Sequence, residues 1–105
     1  MAIRLPRSHT PLETALSYVS DSWKFIILSH LMNDTMRFGE LQKSIGLISQ
    51  KVLTSNLRSM EEDGLLTRTV YAEIPPRVEY TLTDKGRSLA SVLDELSAWG
   101  AQHME

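Results

Sequence analysis

The stretch ISQKVLTSNLRSMEEDGLL, residues 48–66, decides the architecture, because it reads as one helix whose outward face is made of residues that hydrogen-bond rather than residues that pack. Ser49 stands where its hydroxyl can cap the helix, and Gly64 where the chain can end it in the left-handed conformation that a Cβ disfavours. Leu65 and Leu66 then open an extended run. At about 100° per residue, Val52, Leu53, Leu57 and Met60 fall on one side, and Gln50, Lys51, Thr54, Ser55 and Arg58 crowd the other. No carboxylate interrupts the polar side before Glu61, Glu62 and Asp63 at the far end. The amino-terminal half is therefore positive, and the helix N-terminus adds a partial positive charge of its own. Lys, Arg, Gln, Ser and Thr include the usual donors to phosphates and base edges, so a recognition helix for duplex DNA is the functional reading. An ordinary amphipathic surface helix fits the same residues equally well, and the neighbouring segments have to separate the two.

Composition sets the frame. The 105 residues are 42% hydrophobic, which suits one globular domain with a modest core and is too little chain for two. No apolar run approaches the roughly 18 residues of a membrane span, and the first residues lack the apolar segment of a secretory signal. A cytoplasmic protein with no membrane partner is expected. There is no cysteine, which excludes disulfides, thiolate metal sites and thiol redox switching. Asn33, Asp34 and Thr35 spell a glycosylation acceptor, which in a cytoplasmic chain is a chance match.

A formal net charge of −2 looks wrong for a nucleic-acid binder until its distribution is considered. Between residues 36 and 58, Arg37, Lys43, Lys51 and Arg58 stand against Glu40 alone. Between 84 and 105, Lys85 and Arg87 are outnumbered by Asp84, Asp94, Glu95 and Glu105. A basic middle is followed by an acidic tail, although solvated charges on any soluble surface would also read this way.

The flanking segments give the context that the central helix lacks. Residues 1–9 read as a flexible arm in which Arg4 and Arg7 are candidates for phosphate contact, with a frayed terminus the blander alternative. Thr10, Pro11, Leu12 and Glu13 match a capping box with proline at the first helical position, so a helix runs from there to about Val19 with Leu12 and Leu16 on its apolar stripe. After a break at Ser20, Asp21 and Ser22, a second helix carries Trp23, Ile26, Ile27, Leu28 and Leu31 nearly all round, which predicts a central position and makes Trp23 a core anchor. Residues 33–36 form a turn, and a short helix then ends near Ile45 and Gly46, leaving only Leu47 and Ile48 before Ser49. Two helices so closely joined, the second polar and basic outside, make a helix-turn-helix; a generic helical hairpin is the alternative.

Beyond the central helix, residues 66–74 are rich in Thr, Val and Tyr, Pro75 and Pro76 interrupt, and Val78, Tyr80 and Leu82 alternate with Arg77, Glu79 and Thr81. This predicts a hairpin with a stiff tip and Arg77 at a projecting corner, the wing of a winged helix. Thr83 and Asp84 then cap a last helix reaching about Met104, on the order of 30 Å long. Its stripe of Leu89, Val92, Leu93, Leu96 and Trp99 extends past what one small core needs, so a homodimer through this helix and the first is expected, with folding back on its own domain as the alternative. The fold class is mainly α with a small β-hairpin. One domain spans the chain: the arm, helices 1 and 2 in 10–34, the helix-turn-helix in 37–64, the wing in 65–82 and the dimerisation helix in 83–104.

The blocks Trp23-Lys24, Arg37-Phe38-Gly39-Glu40-Leu41, Ile48-Ser49-Gln50-Lys51-Val52-Leu53-Thr54, Leu57-Arg58, Glu61-Glu62-Asp63-Gly64-Leu65 and Pro75-Pro76-Arg77-Val78-Glu79-Tyr80, followed by Leu82-Thr83, occur in the order and spacing of one family. Through them the chain resembles the HxlR-type transcriptional regulators, relatives of the MarR group. The resemblance implies a dimeric winged-helix protein that binds operator DNA through the Ser49 helix and the wing near Arg77. It departs from the family at Thr10, where many members carry a cysteine that in some senses oxidants or electrophiles. A hydroxyl has no accessible thiolate chemistry, so Thr10 reads as a helix cap and any signal must be a small-molecule effector, a partner or protein concentration.

No catalytic constellation competes with this reading. His9, His30 and His103 are far apart in sequence, and no Gly-rich phosphate loop or HExxH pattern occurs, so no enzyme, cofactor or metal is expected. The candidate DNA contacts are Arg37, Ser49, Gln50, Lys51, Thr54, Ser55, Arg58 and Arg77. A winged helix used only for protein contacts is the competing function; it would not need Lys51, Arg58 and Arg77 to share one face.

Overall fold

Helix α2, Ser22–Leu31, lies at the centre of the computed structural model, which describes residues 10–105. It packs on α3, α4, strand β3 and α6, and buries Ile27, Leu28 and Leu31 almost completely. The Asp21 side chain starts it by accepting from the Trp23 N–H at 2.9 Å. Trp23 is half-buried against the core cluster, as its apolar bulk predicts. The arm at 1–9, with Arg4 and Arg7, lies outside the described residues.

The chain order is α1 Pro11–Tyr18, α2, β1 Met36–Arg37, α3 Phe38–Ile45, α4 Gln50–Glu62, β2 Leu66–Tyr71, β3 Arg77–Leu82, α5 Asp84–Arg87 and α6 Ala90–Ala101. Local chemistry marks the starts. Thr10 accepts from the Glu13 N–H at 3.1 Å and Ser49 from the Val52 N–H at 3.1 Å, each satisfying an amide that the first helical turn leaves without a carbonyl. Gly64, at φ 75°, supplies the left-handed residue that ends α4.

Three features correct the sequence reading. The sheet has three antiparallel strands in the order β1-β3-β2, because Met36, expected at the end of a turn, and Arg37, expected to lead into the short helix, pair with Tyr80 and Glu79. Two residues are too few to show an alternation, and only the presence of β3 makes them a strand. The strand expected over 66–74 stops at Tyr71, so Glu73 to Pro76 form the tip and Ile74 is fully exposed there. The helix expected over 83–104 is broken. The Ser88 hydroxyl donates to the Lys85 carbonyl, and the Leu89 N–H turns to the Gly86 carbonyl at 3.2 Å, so the ladder is interrupted between α5 and α6.

The short α5 is clamped to the end of α4. The Thr83 hydroxyl donates to the Gly64 carbonyl and accepts from the Gly86 N–H at 3.1 Å. A Cβ at Gly86 would stand 2.1 Å from the Leu65 carbonyl oxygen, so only glycine permits this approach. Lys85 spans three elements: its ammonium donates to the Asp63 carbonyl at 3.1 Å and the Tyr18 hydroxyl at 2.9 Å, and lies 4.2 Å from the Tyr18 ring centroid. These links fix the root of the wing relative to α4.

Candidate nucleic-acid interface

Helix α4 is anchored from below and polar above. Leu53, Leu57 and Met60 are buried, with Val52 half-buried beside them. Asn56, which no sequence pattern placed inside, is buried as well and returns its side-chain N–H to the Val52 carbonyl at 2.9 Å. Its amide can be inside because the helix itself satisfies that donor. A second polar anchor comes from α2, where the buried Lys24 donates to the Ser59 hydroxyl at 2.9 Å. The turn before α4 is held by the Gln42 side chain, which donates to the Ile48 carbonyl at 3.2 Å, and by the buried Ile48 side chain. Leu47, between them, is 97% exposed.

On the outer side Gln50, Lys51, Ser55 and Arg58 are exposed and Thr54 is half-buried. Gln50, Thr54 and Arg58 follow at four-residue spacing and so form one row along the helix. The row borders two shallow concavities, one over α4 itself with Lys51 and Ser55, and one between α4 and the wing with Arg68 and Tyr80. Lys51 and Arg58 form no ion pair with any described residue. A helix about 10–12 Å across, carrying unpaired donors on its solvent side, has the dimensions and chemistry to enter a major groove about 12 Å wide.

The wing distributes its cations differently from expectation. Opposite residues in an antiparallel pair share a face, so the register Arg68↔Tyr80 and Val70↔Val78 puts Arg68 on the face that meets α4. The register Thr69↔Glu79 and Tyr71↔Arg77 puts Arg77 on the other. There the Arg77 guanidinium stacks 4.1 Å from the Tyr71 ring centroid and lies 3.5 Å from both Glu73 and Glu79 carboxylates. Its Nε is buried without a hydrogen-bond partner. Arg37, paired with Glu79 on the same outer face, is exposed and lines the hollow beside the tip with Glu73 and Pro75; its N–H donates to Glu40 at 2.9 Å. Ser49, Gln50, Lys51, Thr54, Ser55 and Arg58 are thus brought together, and Arg37 and Arg77 stand apart from them. Arg68 was missed because alternation in β2 shows that it shares a side with Leu66 but not which element that side meets.

The apolar stripe of the last helices also divides. Leu89 and Leu93 pack against the chain's own core, while Val92, Leu96 and Trp99 on α6 and Leu12 and Leu16 on α1 remain exposed. Ile26 on α2 joins Leu96 at a hollow between α2 and α6. His103 stacks on Trp99 at 4.1 Å, and His30 meets the Ser44 hydroxyl at 2.7 Å. Among the described residues no group of three His, Asp or Glu side chains is placed to hold a metal, and no helix is long and apolar enough to cross a membrane.

Comparison with known proteins places this geometry. Residues 18–105 match the HxlR-like helix-turn-helix family. The HTH-type transcriptional regulator YtcD of Bacillus subtilis (strain 168), itself uncharacterized, is 45% identical over 93 residues, covering 89% of this chain and 74% of that protein. A MarR-family regulator from Porphyromonas gingivalis W83 superposes with a TM-score of 0.89 at 28% identity, over 97% of this chain and 100% of that one. The oxidized form of the redox regulator HypR gives 0.85 at 35% identity, over 91% and 99%.

Proposed function

The chain belongs to the HxlR-like helix-turn-helix family of DNA-binding transcription regulators, and from that premise we propose that it is a cytoplasmic homodimer that represses transcription by binding a pseudo-palindromic operator. The observation that carries the proposal is the exposed row Gln50, Thr54 and Arg58 on α4, flanked by Lys51 and Ser55 and free of carboxylates until Glu61. In the proposed complex the row enters the major groove and the Ser49 end of α4 directs its partial positive charge at a phosphate. Two copies related by a dyad then read half-sites one helical turn, about 34–36 Å, or a multiple of it apart.

Support for the dimer comes from Val92, Leu96 and Trp99, which are exposed although large and apolar and lie on one helix with Leu12 and Leu16 on another. The redox regulator HypR is a structural relative, but this chain has no cysteine and a threonine caps α1. Its signal therefore does not arrive through a thiol, and a small-molecule effector is the proposed input.

Selection from random duplex DNA tests the reading directly and should return a two-fold symmetric sequence. With that sequence in hand, Arg58→Ala should weaken specific binding more than random binding, by roughly the 1–3 kcal/mol of one bidentate base contact. Equal losses on both would make Arg58 a phosphate contact, and recovery of no sequence at low salt would leave the winged helix as a protein-interaction module. Repression is checked by the output of a promoter bearing the selected site, with and without the protein.

A further inference from the structure

We infer that the wing meets the DNA backbone through Arg68, and that Arg77 is a positioning residue that braces the wing tip from the opposite side of the sheet. The inference rests on the DNA-binding reading above and changes which guanidinium carries the charge.

Sequence position favours Arg77, since it follows the two prolines at the tip. Geometry favours Arg68. Its register partner is Tyr80, whose ring is buried on the side of the sheet that faces α4. Arg68 is exposed beyond that ring and borders the same hollow as Gln50, Thr54 and Arg58. Glu61 borders the hollow too, yet neither Arg58 nor Arg68 forms an ion pair with any described residue. Two uncommitted guanidiniums, one on the helix and one on the wing, thus face a single cleft. A phosphate strand passing between α4 and the wing can be met there by Arg68 while Arg58 reaches into the groove, and the phosphate contact releases condensed counterions.

Arg77 has neither the direction nor the freedom for that task. It lies on the outer face, over the Tyr71 ring and between Glu73 and Glu79, with its side chain 28% exposed and Nε buried. Two carboxylates at 3.5 Å already compensate its charge, so a phosphate would have to displace them and would meet their repulsion. What the contacts do achieve is to tie residue 73, at the start of the tip, to residue 79 in the middle of β3. The tip is thereby held at a fixed angle to the sheet that carries Arg68.

Affinity of the intact protein for its selected duplex, measured across a salt series, separates the two roles. Each phosphate contact removed should lower the magnitude of the log-log salt slope by about 0.9, or about 1.8 for both arms of a dimer. Arg68→Ala should flatten the slope by that amount, and Arg68→Lys, which keeps a cation, should restore it. Arg77→Ala should give a line weaker than wild type but parallel to it. Should Arg77→Ala unfold the chain, Arg77→Gln makes the same comparison with less disturbance. An unchanged slope in Arg68→Ala, or a slope flattened by neutralising Arg77, overturns the inference. Absence of any salt-dependent binding by the wild-type protein would remove the DNA reading itself, and this inference with it.

Discussion

Helix α4 buries Leu53, Asn56, Leu57 and Met60 and turns Lys51, Ser55 and Arg58 to solvent, whereas α6 buries none of its side chains fully and leaves Val92, Leu96 and Trp99 exposed. The two helices are nearly the same length, 13 and 12 residues, so length does not explain the contrast. What differs is which interactions each completes inside one chain. The apolar face of α4 is satisfied by the core, and its remaining chemistry is donors and cations that suit a polyanion. Much of the apolar chemistry of α6 is left outside, which suits a second copy of the same surface. A polar outer face can stay in water at no cost, but an apolar one is displaced from it wherever a complementary face exists.

The sharpest test of this contrast is the pair Leu96→Glu and Trp99→Glu. Both side chains are at least half exposed, so the fold of the single chain should survive. Four unpaired carboxylates would enter the proposed symmetric contact at a cost on the order of 5 kcal/mol, enough to abolish the proposed dimer at micromolar concentration. Sedimentation should show a folded monomer, and an undisturbed dimer would move the interface away from α6.

Leu53→Ala probes the opposite face of the comparison. Leu53 is fully buried on the inner face of α4, and its truncation should lower folding stability by about 2–5 kcal/mol in denaturant titration. If the loss were under 1 kcal/mol, α4 would not be the anchored helix described here. Ser49→Ala should have the smallest effect, about 1 kcal/mol, from the loss of the cap on the Val52 N–H. Because the cap sits at the end proposed to face phosphate, the same change should also reduce affinity for random DNA slightly; a stability loss with wholly unaltered binding would separate the cap from the interface.

The residues that were legible in the sequence are those whose role is settled within a few positions along the chain. Thr10, Asp21, Ser49 and Thr83 each accept an N–H two or three residues on, so a local reading finds them. The α4 row is legible for the same reason: helical spacing alone places Gln50, Thr54 and Arg58 in line. Leu89 and Leu93 mark the limit of this reasoning, because periodicity puts them on one stripe with Leu96 but cannot tell the part of the stripe that meets the chain's own core from the part that does not.

By itself, then, the sequence determined helices α1 to α4, the caps at Thr10, Asp21, Ser49 and Thr83, the basic character of α4 and the family blocks that join them, all of which follow from neighbours in the chain. Only the tertiary structure decided that Met36 and Arg37 are a strand, that Lys24 reaches across to Ser59, and that Arg68 faces α4 while Arg77 is enclosed by Tyr71, Glu73 and Glu79. The reason is physical. A strand of two residues exists through its partner 42 to 44 positions away, and a guanidinium is free or engaged according to which side of a sheet it occupies; both depend on strand register and on the element packed against the sheet, which no local pattern encodes.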